Sequence, residues 1–457
     1  MIGLAEARAI SDRLLASASG RGLDLQVTVI AEDGNLTRFA SSEIHQNISQ
    51  RDVTVVLRAH RAGALAEASV HGIDPVAHDR ALDRVATLVT YARPIPGLTQ
   101  GLPDGGAALE HSFVAPGASR TSLADKARAV AELHRIAADA GALAYGAFVT
   151  GRTLLWIAST RGVRAALETS DATLETLFAA GGHSGYASVS GLDPLTLDVE
   201  ATAREAASLV ARRGEPEAVE PGEYDVVLGP HAVVELLTLL GYYGANGQAH
   251  NDRLSFLQGQ EGQRVFSDLV TIRDDGTDSA RTFPLPFDLE GTSRAAATVV
   301  DRGVFAGAFH DRVSMLRALA PPCALGRSTA GTLAFMGSPP LPLHLQLEPG
   351  AERASELVRG VRRGIWVTRL WYVRMQDRMR GVATGLTRDG TFWIEGGEIS
   401  RPIGGARFTQ GVGEILSRVV AVASDGLLHA PTSWLEPRLR TGTWAPALRI
   451  AGLRFTS

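Results

Sequence analysis

The sequence predicts an α+β protein of two domains: an N-terminal antiparallel sheet with helices, and a C-terminal, mostly β domain that holds one buried helix. Three observations carry this. Strands in the first half follow one another through short turns rather than βαβ crossovers. The stretch RRGEPEAVEPGEY, with two prolines, four glutamates and no apolar stripe, separates two differently patterned halves. After it, one apolar helical segment gives way to β signals punctuated by Gly or Asp-Gly. The bounds are 1–212 and 223–457, with 213–222 as linker.

Taken in order, MIGLAEARAISDRLLASASGRG reads as an amphipathic first helix, because its apolar residues recur at helical spacing and Glu6 and Asp12 interrupt any signal-peptide core. LDLQVTVIAEDGNLTRFA alternates around Asp33-Gly34, which reads as a tight hairpin turn. DVTVVLRA and ALAEASV are strands about a turn at Arg61-Ala62-Gly63. Asp74-Pro75 opens a helix with a capping side chain and proline at its first position. A Pro/Gly-rich loop over 92–111 follows, then a helix over 121–140 stopped by Gly141. LAYGAFVT, TLLWIAST, VRAALETS and SGYASVS are strands, with turns at Gly151-Arg152 and Arg161-Gly162, and a helix runs over 198–212. The second half opens with the strand YDVVLGP and the helix that starts LLTLLGYY. RVFSDLVTIRDDG, ATVVDRGVFAGAFH, IWVTRLWYVR and GVATGLTRDGTFWIEGGEI are its β segments.

Of 457 residues, 45% are hydrophobic and 21% charged, as in a water-soluble globular protein. A net charge of −4, from 45 basic and 49 acidic residues, gives no global pull toward nucleic acid or an anionic membrane. No window reaches the roughly 18 uncharged apolar residues of a spanning helix. The single cysteine, Cys323, excludes an intrachain disulfide and any zinc site built on paired cysteines, so a reducing cytoplasm is the expected location. No histidine partner for nucleophilic chemistry is visible near it.

Four constellations could carry chemistry. LLTLLGYYGANGQAHNDRLSF runs from apolar helix into Tyr242, Tyr243, His250 and Asn251. Histidines 231 and 250 are too far apart for a local chelate, which needs two imidazoles one turn apart, so no metal is expected on this helix. His250 is either a hydrogen-bonding residue at a helix end or a lining residue of a cavity. Asp288 and Glu290, two apart, could share a strand face as an acid and a base, or form an acidic turn held by Arg294. Residues 359–380 carry seven arginines with Trp366, Trp371 and Tyr372 interleaved; an arginine-lined face or interface fits better than a single-strand nucleic-acid site. The nucleophile elbow, the P-loop and the dinucleotide fingerprint do not occur.

RFASSEIHQN, the strand ending ASTRGV, SFLQGQEGQRVFSDLVTIRDDG, FDLEGTSRAAATVVDRGVFAGAFHD, GRSTAG and GVATGLTRDGTFWIEGGEISRPI occur in this order. Together they resemble the TldD/PmbA family, also described as modulators of DNA gyrase. The resemblance runs from about residue 20 to PALRIAGLRF. It implies a cytoplasmic heterodimeric peptidase in which a TldD-type subunit carries zinc on a His-Glu-x-x-x-His helix together with a cysteine near its C-terminus, whereas the TldE (PmbA) type lacks both. The zinc helix would fall at residues 236–241, where Thr238 and Leu239 stand roughly in place of the first histidine and the glutamate. LHAPTSWLEPRLRTGTWAP has no cysteine, and SFLQG and FDLEG match the TldE type.

The resemblance therefore implies a TldE-like subunit that binds no metal itself, with zinc in a TldD-type partner and unfolded peptides cut in a shared cavity. Catalytic residues are expected in the partner. Tyr242, Tyr243, His250, Asn251, Asp288, Glu290 and Arg294 are the candidate cavity residues here. The twin tyrosines and the Arg/Ala-rich composition depart from either branch and also fit a subunit specialised for maturing natural-product peptide precursors. Two alternatives stay open: a homodimeric binding or scaffold protein on the same fold, and a metal-independent hydrolase using Asp288, Glu290 and His250.

Overall fold

A computed structural model describes residues 1–319, 322–329, 339–430 and 438–456. Parts of two segments used above, 330–331 in GRSTAG and 431–437 in the C-terminal stretch, lie outside the described residues. In chain order the first half comprises α1 (Leu4–Gly20), β1 (Asp24–Ala40), β2 (Glu43–Arg61), β3 (Ala64–His71), α2 (Pro75–Tyr91), β4 (Leu109–Phe113), α3 (Leu123–Asp139), β5 (Leu143–Ser159), β6 (Arg164–Ala180), β7 (His183–Gly191) and α4 (Val199–Val210). Among the described residues these strands form one sheet in the order β3-β2-β1-β5-β6-β4, with β7 also on β6. Only β4 runs parallel to its neighbour. The α+β expectation holds.

The capped helices form as their ends dictate. Asp74 accepts from Val76 N at 3.0 Å ahead of Pro75, Ser122 and Asp125 form a reciprocal capping box, and Asp198 accepts from Ala201 N at 2.8 Å.

Two expected turns are absent. Asp33-Gly34 lies mid-strand, with Gly34 between Gln50 and Gly151 in register and the Asp33 carboxylate taking Arg51 Nε at 3.0 Å. The chain reverses instead at Ser41-Ser42, whose φ values of 51° and 59° supply the primed turn. Ser42 N donates to Ala144 O, and Ala144 N donates to Ser42 Oγ. Gly151-Arg152 is likewise inside β5; a Cβ at Gly151 would meet the Arg438 guanidinium at 2.4 Å, so this glycine serves close approach rather than a turn.

One face of the sheet is covered by helices. Leu14, Leu82 and Val85 of α1 and α2 pack on Val27, Val55 and Trp156, while Val130, Leu133 and Ala206 of α3 and α4 pack on Phe148, Leu174 and Phe178. On the opposite face Ile30, Leu155, Ile157 and Leu167 pack against Leu285, Phe287 and Leu289 of the second half. The two halves thus share a core.

The second half comprises β8 (Gly222–Leu228), α5 (Pro230–Leu239), a π turn (Leu240–Gly244), α6 (Gly247–Asn251), β9 (Ile272–Asp274), β10 (Ala297–Asp301), β11 (Val304–Phe305), β12 (Leu345–Leu347), β13 (Arg363–Asp377), β14 (Val382–Glu395), β15 (Glu398–Pro402), β16 (Arg407–Gly411), β17 (Val419–His429) and β18 (Thr443–Phe455). The pairings β18-β16-β14-β13-β8 close on themselves, because β8 bonds both β13 and β18. The described residues of 254–344 contain less strand than their alternation predicts: RVFSDLVTIRDDG is irregular except for β9, and its polar backbone is satisfied by loop hydrogen bonds such as Val265 N and Phe266 N to Gly303 O. Asp389-Gly390 is also not a turn. Asp389 at φ 57° and Gly390 at φ 119° form an irregularity inside β14, where pairing to β13 slips.

The buried helix is α5. Val233, Leu236, Leu237 and Leu240 enter the core of the second half with Ile365, Val367, Leu448 and Ile450. No helix among the described residues is long and apolar enough to cross a membrane.

Candidate functional site

Helix α5 starts at Pro230 behind Gly229, a residue with no room for a side chain because a Cβ there would sit 3.1 Å from Thr368 O. Its apolar residues take up most of the helix surface, and one stripe remains polar: His231, Glu235, Thr238 and Tyr242, three or four residues apart. That stripe faces the free side of the first sheet. The helix then widens into the π turn at Leu240–Gly244, an interruption often found beside functional sites.

Two cavities lie along the stripe. The larger, about 440 Å³, is lined by Arg38 of β1, Glu175 of β6, Tyr186 of β7, His231, Arg369 of β13 and Trp371. The smaller, about 280 Å³, is lined on α5 by Thr238 and Tyr242, with Pro342 and Thr443 opposite. Glu235 and His429 line both and form the waist between them.

The waist is ordered by edge-to-face rings and one fixed cation. His231 meets Tyr186 edge-on at 5.0 Å and His429 at 5.4 Å between centroids. The Arg369 guanidinium lies 4.0 Å over Tyr186 and 5.0 Å from the Trp371 ring. Asp389 holds it by accepting from Arg369 Nε at 2.6 Å, and takes Ser184 Oγ at 2.7 Å, which ties β14 to the first sheet.

Burial, then the charges of neighbouring His429 and Arg369, keep His231 well below the ordinary imidazole range. Burial, with Arg369 and Arg440, takes His429 to about 4. Both rings are therefore neutral at pH 7. Burial pushes the Glu235 carboxyl up, against the opposing pull of Arg369 and Arg374.

Of the seven candidate cavity residues, only Tyr242 lines either of these two cavities. Tyr243 packs on the core, with the Arg378 guanidinium 5.4 Å from its ring. His250 is not a lining residue: its Nε2 donates to Gly244 O at 2.7 Å, Ser255 Oγ is 3.0 Å from the same nitrogen, and Nδ1 is 3.2 Å from Glu261. Asn251 Nδ2 donates to Ser314 O at 2.6 Å. His250→Ala should therefore cost about 1–3 kcal/mol in a urea melt, through orphaned partners, and leave peptide affinity unchanged.

The acidic pair is also structural. Asp288 accepts from the backbone N of Glu290, Thr292 and Ser328 at 2.9–3.0 Å and shapes the turn. Arg294 does not hold that pair; it bonds Asp274 at 2.9 Å. Glu290 crosses to the first sheet, where Arg58 Nη1 lies 2.6 Å away. Neither carboxylate lines either cavity. Cys323 Sγ donates to Thr298 O at 3.0 Å, and burial pushes the thiol up to about 11, the opposite of an activated nucleophile.

Sequence reasoning missed Glu175, Tyr186, His231, Glu235, Arg369 and His429. The spacing of His231 and Glu235 by one helical turn was a readable signal; the other four come from separate strands and carry no local pattern.

A profile of the PmbA/TldA metallopeptidase C-terminal domain matches residues 221–457, more than half of the chain. The chain belongs to the PmbA/TldD family. Curated relatives include a metalloprotease of Methanothermobacter thermautotrophicus, 26% identical over 53% of this chain and 52% of that protein. Another is a metalloprotease TldD homolog of Haemophilus influenzae, 26% identical over 46% of this chain and 43% of that one. The chain spans about half the length of the curated relatives it matches.

The fold is shared along almost the whole length with TldE from Thermococcus kodakarensis, at TM-score 0.83, 17% identity and coverage of 98% of this chain and 100% of that one. It is shared equally with a Thermotoga maritima protein described as a modulator of DNA gyrase, at TM-score 0.81, 18% identity and the same coverage. Among the described residues no three His, Cys, Asp or Glu side chains are grouped as a metal site needs.

Proposed function

We propose that this chain is a TldE-type subunit of a cytoplasmic heterodimeric zinc peptidase, which contributes a peptide-binding cleft while a TldD-type subunit carries the zinc and the bond-breaking step. The observation that carries the reading is the fate of Thr238 and Leu239 on α5. Thr238 Oγ1 donates to Val234 O at 2.9 Å, and Leu239 is buried in the core, so the two positions matched to a metal ligand and a general base are committed to the helix itself. What the stripe offers instead is shape: two adjoining cavities with neutral rings and the carboxyls of Glu175 and Glu235, suited to an extended chain rather than a folded protein. Unfolded segments and peptide precursors, including those of peptide natural products, are the substrates of this arrangement.

Co-expression with a TldD-type subunit tests the pairing. A 1:1 complex by size-exclusion chromatography with light scattering is expected. A chain that stays homodimeric beside that subunit would contradict it and favour a scaffold role.

A further inference from the structure

The waist between the two cavities holds a carboxylate with no direct partner among the described residues. Glu235 is mostly withdrawn from water and lines both cavities, yet no described residue hydrogen-bonds or ion-pairs with its carboxylate. The other ionisable groups around it are accounted for. Arg369 is held by Asp389, and Arg374 donates to Val373 O at 3.1 Å and lies 4.5 Å over the Tyr372 ring. His231 and His429 are neutral, Glu175 accepts from Tyr186 Oη at 3.4 Å, and Arg38 is exposed at the rim beside Gln46. Among the described residues, the Glu235 carboxylate thus lacks a direct partner and feels Arg369 and Arg374 only at longer range.

The walls favour the same kind of guest. Tyr242 presents aromatic surface on one side of the waist, and on the other Tyr186 and Trp371 already hold the Arg369 guanidinium, so rings here do take a cation. A carboxylate held where water is scarce gains most from a counter-charge that arrives with the ligand, because the desolvation of the acid has already been met in folding. The upward shift of Glu235 is the mark of that desolvation, which Arg369 and Arg374 offset only in part.

Building on the peptide-binding reading, we propose that Glu235 receives a basic side chain, lysine or arginine, of an extended peptide that lies across the waist with its backbone in the two cavities. Glu235 here is a specificity residue and takes no part in bond breaking.

The test is isothermal titration of the full-length chain, in the assembly in which it purifies, with blocked pentapeptides. One carries a central lysine, and the others carry norleucine or glutamate at that position. The lysine peptide is expected to bind at least about tenfold tighter than the norleucine one, the scale of one charge-assisted contact. Glu235→Gln should abolish that difference, bringing the lysine peptide to the affinity of the norleucine one, without lowering the thermal midpoint. Equal affinity for lysine and norleucine, a preference for glutamate, or a lysine preference that survives Glu235→Gln would overturn the inference while leaving peptide binding intact. Failure of all three peptides to bind would remove the peptide-binding reading as well.

Discussion

Asp274→Ala is expected to lower the stability of the protein by about 3–5 kcal/mol, because it strands two buried cations. Asp274 is fully buried at the end of β9. One carboxylate oxygen accepts from Arg294 Nη2 at 2.9 Å and from Arg327 Nε, and the other accepts from His344 N at 2.9 Å. Both arginine side chains are almost entirely inaccessible to water, so water cannot replace the lost partner.

The same site gives a pH signature. Burial alone would raise the Asp274 carboxyl, but Arg294 and Arg327 overcome it and hold the group down at about 2. The folded value thus lies below the unfolded one of about 3.9. The contribution of the ionised group is complete above about pH 4 and is lost as pH falls toward 2. Urea melts of the native chain and Asp274→Asn should therefore differ by a constant amount from pH 7 to 5, then converge in more acidic solution. A difference independent of pH down to the acid limit would show that the carboxylate charge is not what the two arginines require.

Arg58→Met should cost about as much, about 3–5 kcal/mol, for the mirror-image reason. Arg58 on β2 pairs with Glu290 at 2.6 Å across the junction of the two halves, with side-chain exposures of 7% and 1%, and lies 3.4 Å from Glu67. Without the guanidinium, Glu290 is left in an apolar junction beside Asp288. Burial already pushes its carboxyl up with Arg58 in place. In the variant the acid must stay protonated to remain folded, so its folded value lies above the unfolded one and stability falls as pH rises. The loss should be greater at pH 8 than at pH 5. Adding Glu290→Gln to Arg58→Met should recover more than half of it, since the pair is not additive. A loss equal at both pH values would mean that Glu290 finds another partner.

The sequence carried the architecture well because architecture rests on local patterns. Capping residues such as Asp74, Ser122 and Asp198 and glycine stops such as Gly141 placed the helix ends to within a few residues. Turn chemistry was less dependable. Asp33-Gly34 and Asp389-Gly390 satisfy a hairpin rule, yet the first pair has strand partners on both sides and the second is an unpaired irregularity within β14, whereas Ser41-Ser42, with no Gly, makes the turn.

The site was hardly legible. Glu175, Tyr186, Glu235, Arg369 and His429 come from five elements in both halves, and only the packing of the two halves, with β7 against β14 and β17, makes them neighbours. His250, Asp288 and Glu290 were conspicuous for the opposite reason: buried polar groups that organise irregular backbone look in sequence like chemistry.

The central claim is that this chain supplies the cleft and another subunit supplies zinc and hydrolysis. The most direct measurement is hydrolysis of an unfolded peptide by the isolated chain, by a TldD-type subunit and by their mixture, with zinc quantified in each. The account predicts no stoichiometric zinc and no turnover for this chain alone, and zinc-dependent cleavage by the mixture that Glu235→Gln weakens for lysine-containing peptides. One zinc per chain and peptide hydrolysis by the isolated protein would contradict it.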